Sequence, residues 1–325
     1  MNFSNKTSKV NQVINLVTQE IAEGRYSLDD CLPSVNVQSN HFKVSRDTVF
    51  KAYKALKSRG IIDSAPMKGY FVVGEVQRIL LLLDVYSPFK EQLYNSFIAN
   101  LPQHVKVDLL FHQYNKKLFE MIVNESLGKY NAYMVMNFSN DMMSASLKKI
   151  PSSKLLLLDF CAFDKGEWSY ICQNFGDAFY RVMEASITSL KKYSKLVFVF
   201  PKESVHPKES IVAFNRFCAD EKFDSFVLRR SFTAEDFQRD TAYICIATDD
   251  LVKIIEEAKR LNCTFGKDVG VVVYNDMPLL EIIQEGISSY SVDFKQMGEL
   301  AADFVKTRNK IGIEMDTRFI ERKSL

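Results

Sequence analysis

A chain of 325 residues is longer than one compact core usually supports, so two or three folded units are expected. Hydrophobic residues make up 47% and charged residues 25%, a balance that excludes a large disordered tail, and no apolar run approaches a membrane span. The net charge of +2 does not by itself announce a nucleic-acid partner, although residues 1 to 76 hold ten Lys/Arg against seven Asp/Glu and so carry most of the positive bias.

The first segment reads as three helices and a hairpin. Val10, Val13, Ile14, Val17 and Ile21 recur at helical spacing, with Ser8 as a cap and Gly24 as the stop. Leu32-Pro33-Ser34 then opens a short helix running to about His41. Ser45 caps a longer helix that ends near Gly60; Val44 and Val49 occupy hydrophobic-staple positions, and Asp47 sits in the first turn where the helix dipole favours it. Val49, Ala52, Tyr53 and Leu56 make an inward stripe, leaving Asp47, Lys51, Lys54 and Ser58 to face outward. Ile61-Ile62 and Tyr70 to Val73 flank a Pro66/Gly69 turn and read as a β-hairpin.

After a short polar connection from Gly74 to Arg78, short apolar strands alternate with segments of helical length. Strands are expected at Ile79 to Asp84, Val105 to Phe111, Ala132 to Met136, Lys154 to Asp159, Leu196 to Phe200, Ser225 to Leu228, Tyr243 to Ala247 and Val269 to Tyr274. Such alternation implies parallel sheets covered on both faces, and the length suggests two lobes. The fold class expected is therefore α/β, with a division at about residue 76. The six cysteines, Cys31, Cys161, Cys172, Cys218, Cys245 and Cys263, show no Cys-x-x-Cys pair or short framework; with no signal-peptide pattern, a reducing cytoplasm is expected.

Residues 8 to 73 carry Leu32-Pro33-Ser34-Val35, Val44-Ser45-Arg46-Asp47-Thr48-Val49, Ala52-Tyr53, Leu56, Gly60-Ile61-Ile62 and Gly69-Tyr70-Phe71-Val72 in order. This resembles the winged helix-turn-helix of the GntR regulator family and implies that residues 1–76 bind double-stranded operator DNA. The resemblance places Ser45, Arg46 and Thr48 on DNA, with Arg46 suited to bidentate guanine readout. Ser34 and Asn36 at the start of the preceding helix join them, Lys43, Lys51 and Lys54 suit phosphates, and the wing tip Lys68-Gly69 suits the minor groove or backbone. The chain departs from the family at Asn36, where Arg is usual, and at Phe50, where a basic residue is common.

From residue 77 to 325 a second series of segments stands in register. It runs from Leu83-Asp84-Val85-Tyr86-Ser87-Pro88-Phe89 through Leu158-Asp159, Gln173-Asn174-Phe175-Gly176, Ala247-Thr248-Asp249-Asp250 and Val273-Tyr274-Asn275-Asp276 to Arg322-Lys323-Ser324. Their order resembles the two-lobed, periplasmic-binding-protein-like effector domain of the LacI family. Ligands in open α/β sheets bind beyond the carboxyl ends of the strands, which singles out Phe89, Asp159, Thr248, Asp249, Tyr274, Asn275 and Asp276. Carboxylates and amides suit vicinal hydroxyls and an aromatic face suits a sugar ring. By the resemblance Asn275 stands for a sugar-binding aspartate and Thr248 for an asparagine, while Ser210 falls near the place of a family arginine. Trp168 either lines the cleft or covers a lobe.

The chain is too short for the aminotransferase branch of the GntR family. It shows no Gly-x-Ser-x-Gly elbow, no Walker loop and no metal-spaced cluster among His41, His104, His112 and His206, so neither enzymatic activity nor a cofactor or metal is expected. The function expected is that of a cytoplasmic, homodimeric transcription regulator with no membrane partner: a repressor of carbohydrate-utilisation genes, released from its operator by a sugar or sugar phosphate. The alternative is a ligand-sensing or protein-interaction module whose winged helix has lost specific DNA binding.

Overall fold

The computed structural model describes residues 8–58, 60–73, 77–102 and 105–325. Contacts divide the chain into two compact units, 1–79 with 102–108, and 80–101 with 109–325. The expected junction falls at residues 74–76, which lie outside the described residues, as does His104.

In the first unit, α1 (Lys9–Ala22) starts at Ser8, whose side chain accepts a hydrogen bond from the Asn11 amide. α2 (Val35–Phe42) starts at Ser34 and stops at Lys43, which adopts a left-handed conformation. α3 (Arg46–Ser58) follows, and β1 (Ile62–Ala65) pairs antiparallel with β2 (Gly69–Val72). The helical stripes read from the sequence close on one core of Val13, Ile14, Val17, Phe42, Val49, Ala52, Tyr53, Leu56, Ile62 and Val72. The Tyr53 hydroxyl, buried among them, donates to the Pro33 carbonyl at 3.0 Å and so ties α3 to the turn that opens α2.

The remainder is built from two six-stranded sheets. In chain order its elements are β3 (Gln77–Leu83), α4 (Pro88–Ala99), β4 (Val105–Phe111), α5 (Lys116–Ser126), β5 (Ala132–Met136), β6 (Leu155–Asp159), β7 (Ser169–Gln173), α6 (Asp177–Ala185), α7 (Ile187–Leu190) and β8 (Lys195–Val199). They continue with α8 (Glu209–Glu221), β9 (Asp224–Leu228), β10 (Thr241–Cys245), α9 (Thr248–Arg260), β11 (Val269–Tyr274), β12 (Ser288–Ser291), α10 (Phe294–Thr307), β13 (Gly312–Met315) and β14 (Arg318–Ile320). The sheet orders are β13-β7-β6-β5-β3-β4 for the first lobe and β14-β12-β11-β10-β8-β9 for the second. The chain therefore passes between the lobes three times, at 174–176, 292–293 and 316–317. Among the described residues, no helix is long and apolar enough to cross a membrane.

α10 packs on α4 so closely that a Cβ at Gly298 would stand 2.4 Å from the Leu93 carbonyl oxygen. Glycine is needed there for the approach of two backbones rather than for a turn.

Several expectations need correcting. The strand expected at Tyr243 to Ala247 is Thr241–Cys245, because its last two residues turn out into the start of α9. Strict alternation with α-helices does not hold: β6 and β7, and β13 and β14, are joined without a helix, only short 3-10 turns lie between β5 and β6, β9 and β10, and β11 and β12, and β14 runs antiparallel to β12. β7, β12, β13 and β14 were not foreseen, since Ser288-Ser289-Tyr290-Ser291 and its like lack an apolar run, although β12 is buried throughout. Gln173 ends β7, and the next helix begins at Asp177. Lastly, Cys161 and Cys172 are disulfide-bonded, with Cα atoms 5.9 Å apart. Asp159 pairs with Cys172 in the sheet register, and two further residues bring Cys161 back against it, a proximity that cysteine spacing alone does not reveal.

Candidate functional site

The start of α3 presents a set of exposed polar side chains. Ser45 caps the helix, its Oγ accepting from the Thr48 amide at 3.2 Å and lying 2.8 Å from Thr48 Oγ1. Arg46 is exposed and forms no hydrogen bond or ion pair among the described residues. Ser34 caps α2 through the Val37 amide at 3.4 Å, and Asn36, the second residue of α2, is exposed in its first turn. Lys51 pairs with Asp47 at 2.7 Å, and Lys68 lies 4.0 Å above the Phe71 ring and 3.5 Å from Asp29. Both pairs are solvent-exposed and worth well under about 1 kcal/mol, so either lysine can exchange its partner for a phosphate. Lys43 is exposed in the α2–α3 turn, and Gly69 takes φ 77 at the wing, a conformation glycine adopts without strain.

In the two-lobed part, Asp159 closes β6, buried to 3% exposure, and accepts from Gln173 Nε2 at 2.5 Å. Burial pushes its carboxyl up to about 6, against the pull of nearby Lys90. Tyr274, buried at the end of β11, donates from its hydroxyl to Gln173 Oε1 at 3.3 Å, so Gln173 joins Asp159 of the first lobe to Tyr274 of the second. Beside Tyr274, Asn275 has φ 70 and a buried Oδ1 with no hydrogen-bond partner among the described residues. The other strand-end candidates stand apart. Phe89 packs its ring 4.9 Å from Phe294 at the α4–α10 contact. Thr248 and Asp249 are exposed on the first turn of α9, without a hydrogen bond to Asp159, Tyr274 or Asn275 among the described residues. Asp276 is held by a two-pronged ion pair from Arg322, at 2.7 and 3.1 Å. Ser210 is fully buried and donates to the Pro207 carbonyl, while Trp168 packs on the first lobe's core.

Strand ends that sequence reasoning passed over carry as much chemistry. Asp84, at the end of β3, is ion-paired with Lys90 and accepts from the Tyr114 hydroxyl at 2.5 Å. After β4, His112 Nε2 donates to the Met136 carbonyl at 3.1 Å, which leaves Nδ1 as a buried acceptor with no partner among the described residues. Asn137 Oδ1 directly after β5 and His206 Nε2 in the loop between β8 and α8 are also buried without partners among the described residues. Burial drives the His206 imidazole down to about 3, so it is neutral at physiological pH.

Two cavities open between the lobes. One, of about 280 Å³, is lined by Asn140, Lys165, Gln173, Asn174, Glu209 and Glu314 among others. The other, of about 530 Å³, shares Asn140 and Glu209 with it and adds Phe138, Phe160 and His206. Asn140 Nδ2 donates to Glu209 Oε1 across the lobes at 3.4 Å. A further cavity of about 580 Å³ lies at the opposite end of β11, where Lys192 is bound to the Leu325 carbonyl and Lys323 to Glu285. Among the described residues, no group of three or more His, Cys, Asp or Glu is placed to hold a metal.

The profile of the bacterial regulatory proteins of the gntR family matches residues 9–72. Residues 9–72 are a gntR-family helix-turn-helix domain. No curated protein sequence matches the chain. Among solved structures, the trehalose repressor from Escherichia coli is similar at 12% identity and TM-score 0.61, covering 74% of this chain and 99% of its own. A LacI family transcriptional regulator from Lactobacillus casei with bound sucrose gives 12%, 0.64, 76% and 99%. Another, from Weissella paramesenteroides with bound glucose, gives 14%, 0.60, 76% and 98%. At such identities the likeness establishes the fold. Beyond the gntR-type domain the chain has the two-lobed, periplasmic-binding-protein-like fold seen in those LacI-type regulators, so a domain of a regulatory-protein family precedes a fold found in transcriptional regulators.

Within that LacI-type fold, a signal for the missed residues was present in the chain. Asp84, His112 and Asn137 follow strands just as Asp159 and Asn275 do, and applying the strand-end rule to every strand would have named them. Glu209 and His206 carried no such signal, because only the closeness of the two lobes brings them to Asn140.

Proposed function

We propose that the chain is a homodimeric, cytoplasmic transcription repressor of carbohydrate-utilisation genes, divided at about residue 76 and released from its operator when a sugar enters the cleft between the lobes. One observation carries the reading: Nδ1 of His112, Oδ1 of Asn137 and Oδ1 of Asn275, each directly after a strand, and Nε2 of His206 in the loop between β8 and α8 are buried and have no hydrogen-bond partner among the described residues. A buried polar atom without a hydrogen bond costs about 1–3 kcal/mol, so such atoms favour a hydroxyl-rich ligand, and His206 lines the larger of the two cavities between the lobes. Aromatic rings at the same place, Phe175 and Tyr274 with centroids 6.1 Å apart and His206 4.6 Å from Tyr274, supply the apolar face that a sugar ring needs.

The smaller cavity holds Asp177, Glu209 and Glu314 against a single lysine, Lys165, which already pairs with Glu314 at 3.2 Å. That charge favours an uncharged sugar over a sugar phosphate. The solved LacI-type relatives with bound sucrose and glucose favour the same class. On this reading Asp159, Tyr274 and Asn275 contact the ligand, with Phe89, Thr248 and Asp249 at the margin. Closure of the lobes about their three crossings changes the spacing of the two reading heads, each using Ser34, Asn36, Lys43, Ser45, Arg46, Thr48, Lys51, Lys68 and Gly69.

A thermal-shift screen of neutral monosaccharides and disaccharides, with their phosphates as a parallel set, tests the proposal. A neutral sugar should raise the melting point by mass action. If only phosphates did so, the ligand class would be wrong; if no compound of either set did, the sugar reading itself would fail.

A further inference from the structure

We infer that Phe50, on the outward face of α3, reads the C5-methyl group of a thymine in the major groove. The inference rests on the reading of α3 as the DNA-facing helix and adds to it the base that an apolar side chain selects.

Phe50 is 49% exposed, whereas the other aromatic ring of α3, Tyr53, is completely buried. Single exposed apolar side chains are common and need no explanation alone. The setting of this one is informative. Phe50 lies four residues after Arg46 and four before Lys54, so the three share one stripe of the helix. Arg46 and Lys54 are both exposed, and neither makes an ion pair or hydrogen bond among the described residues. The neighbouring stripe is different, for Asp47 and Lys51 neutralise one another at 2.7 Å.

An apolar ring between two unpaired cations is a poor start for a protein–protein contact, because burying that stripe against an apolar partner would desolvate both charges. It suits a polyanion. Phe has no donor and cannot bond a phosphate, and the major groove offers one apolar feature, the thymine methyl, to which Phe is a known kind of partner. Four residues of α-helix advance about 6 Å, while stacked base pairs advance roughly 3.4 Å per step. A guanine under Arg46 and a thymine under Phe50 are therefore separated by about two base pairs.

The test starts with the full chain and a random-sequence duplex library, from which the preferred site is selected. In that duplex each thymine is replaced singly by deoxyuridine, which lacks the methyl and keeps the pairing, and affinity is read by fluorescence anisotropy at fixed salt. Loss of one buried methyl corresponds to about a four-fold weakening. The expected result is such a loss at one thymine in each half-site, about two base pairs from the guanine that Arg46 needs, and its disappearance in Phe50→Ala. Phe50→Leu should keep most of the discrimination. If a preferred site emerges but deoxyuridine is tolerated everywhere, or the loss persists in Phe50→Ala, Phe50 does not read thymine although the helix binds DNA. If selection yields no preferred sequence, the DNA-facing role of α3 fails and the inference with it.

Discussion

Lys90→Met is the substitution whose cost follows most directly from the geometry. The Lys90 and Asp84 side chains are 4% and 0% exposed, so no solvent screens their interaction. Without the ammonium, Asp84 keeps its bonds from the Tyr114 hydroxyl at 2.5 Å and the Val85 amide at 2.6 Å, but its charge is left in a buried site. Removing one partner of a buried ion pair costs about 3–5 kcal/mol, and the two surviving bonds place this case near the lower end. The double variant Asp84→Asn/Lys90→Met removes both charges while the amide can still bond Tyr114, and should return to within about 1 kcal/mol of the parent. Urea unfolding followed by Trp168 fluorescence is the assay, because the only tryptophan packs on the core of the lobe that contains the pair. A loss below about 1 kcal/mol in the single variant, or a double variant no more stable than the single, would show that the pair is not isolated from water as described.

Further predictions concern the other links of the account. Arg46→Ala should weaken specific duplex binding by about 1–3 kcal/mol while leaving the melting point unchanged; equal operator affinity by anisotropy would remove Arg46 from readout. Asn275→Ala should weaken sugar binding in calorimetry and spare ligand-free DNA binding, and unaltered sugar affinity would mean that the pocket lies elsewhere. For Asp159, the folded carboxyl at about 6 lies above its ordinary value, so the folded state binds the extra proton and stability rises as pH falls from about 6 towards 4. Asp159→Asn should abolish that rise, worth on the order of 3 kcal/mol. His206, lowered to about 3, acts in the opposite sense between about 6.5 and 3, so the comparison must be between parent and variant rather than read from the parent alone. Gly298→Ala should force α4 and α10 apart, with an overpacking cost of about 1–3 kcal/mol and a fall in melting temperature of about 5 °C. An unchanged melting curve would show that the two helices do not meet as closely as drawn.

The reading head was legible because its local signals agree: Ser8, Ser34 and Ser45 each cap the helix they precede, and the stripe of Val49, Ala52, Tyr53 and Leu56 is the buried face of α3. The lobes were legible where strands are runs of Leu and Val, as at Leu155–Asp159 and Val269–Tyr274. They were illegible where a buried strand is mostly serine, as at Ser288–Ser291, where the hydroxyls of Ser288 and Ser289 are satisfied by partners elsewhere in the chain, such as the Ser288 Oγ to Arg322 carbonyl bond at 3.0 Å. The site was half visible for a similar reason. Asp159, Tyr274 and Asn275 follow strands that periodicity finds, whereas Gln173, Asn140 and Glu209 depend on how the chain recrosses between lobes. Thr248 and Asp249 fit the strand-end rule, yet β10 ends earlier than its apolar run suggests, and both residues fall on the exposed turn of α9.

The central claim is that one ligand in the cleft governs the reading head. The most direct measurement is the dissociation constant of the full chain for its selected duplex, by anisotropy, with and without a saturating concentration of the sugar found by thermal shift. Coupling between the sites predicts that the sugar weakens DNA binding by at least about five-fold. The same constant with and without a sugar that demonstrably binds would contradict it.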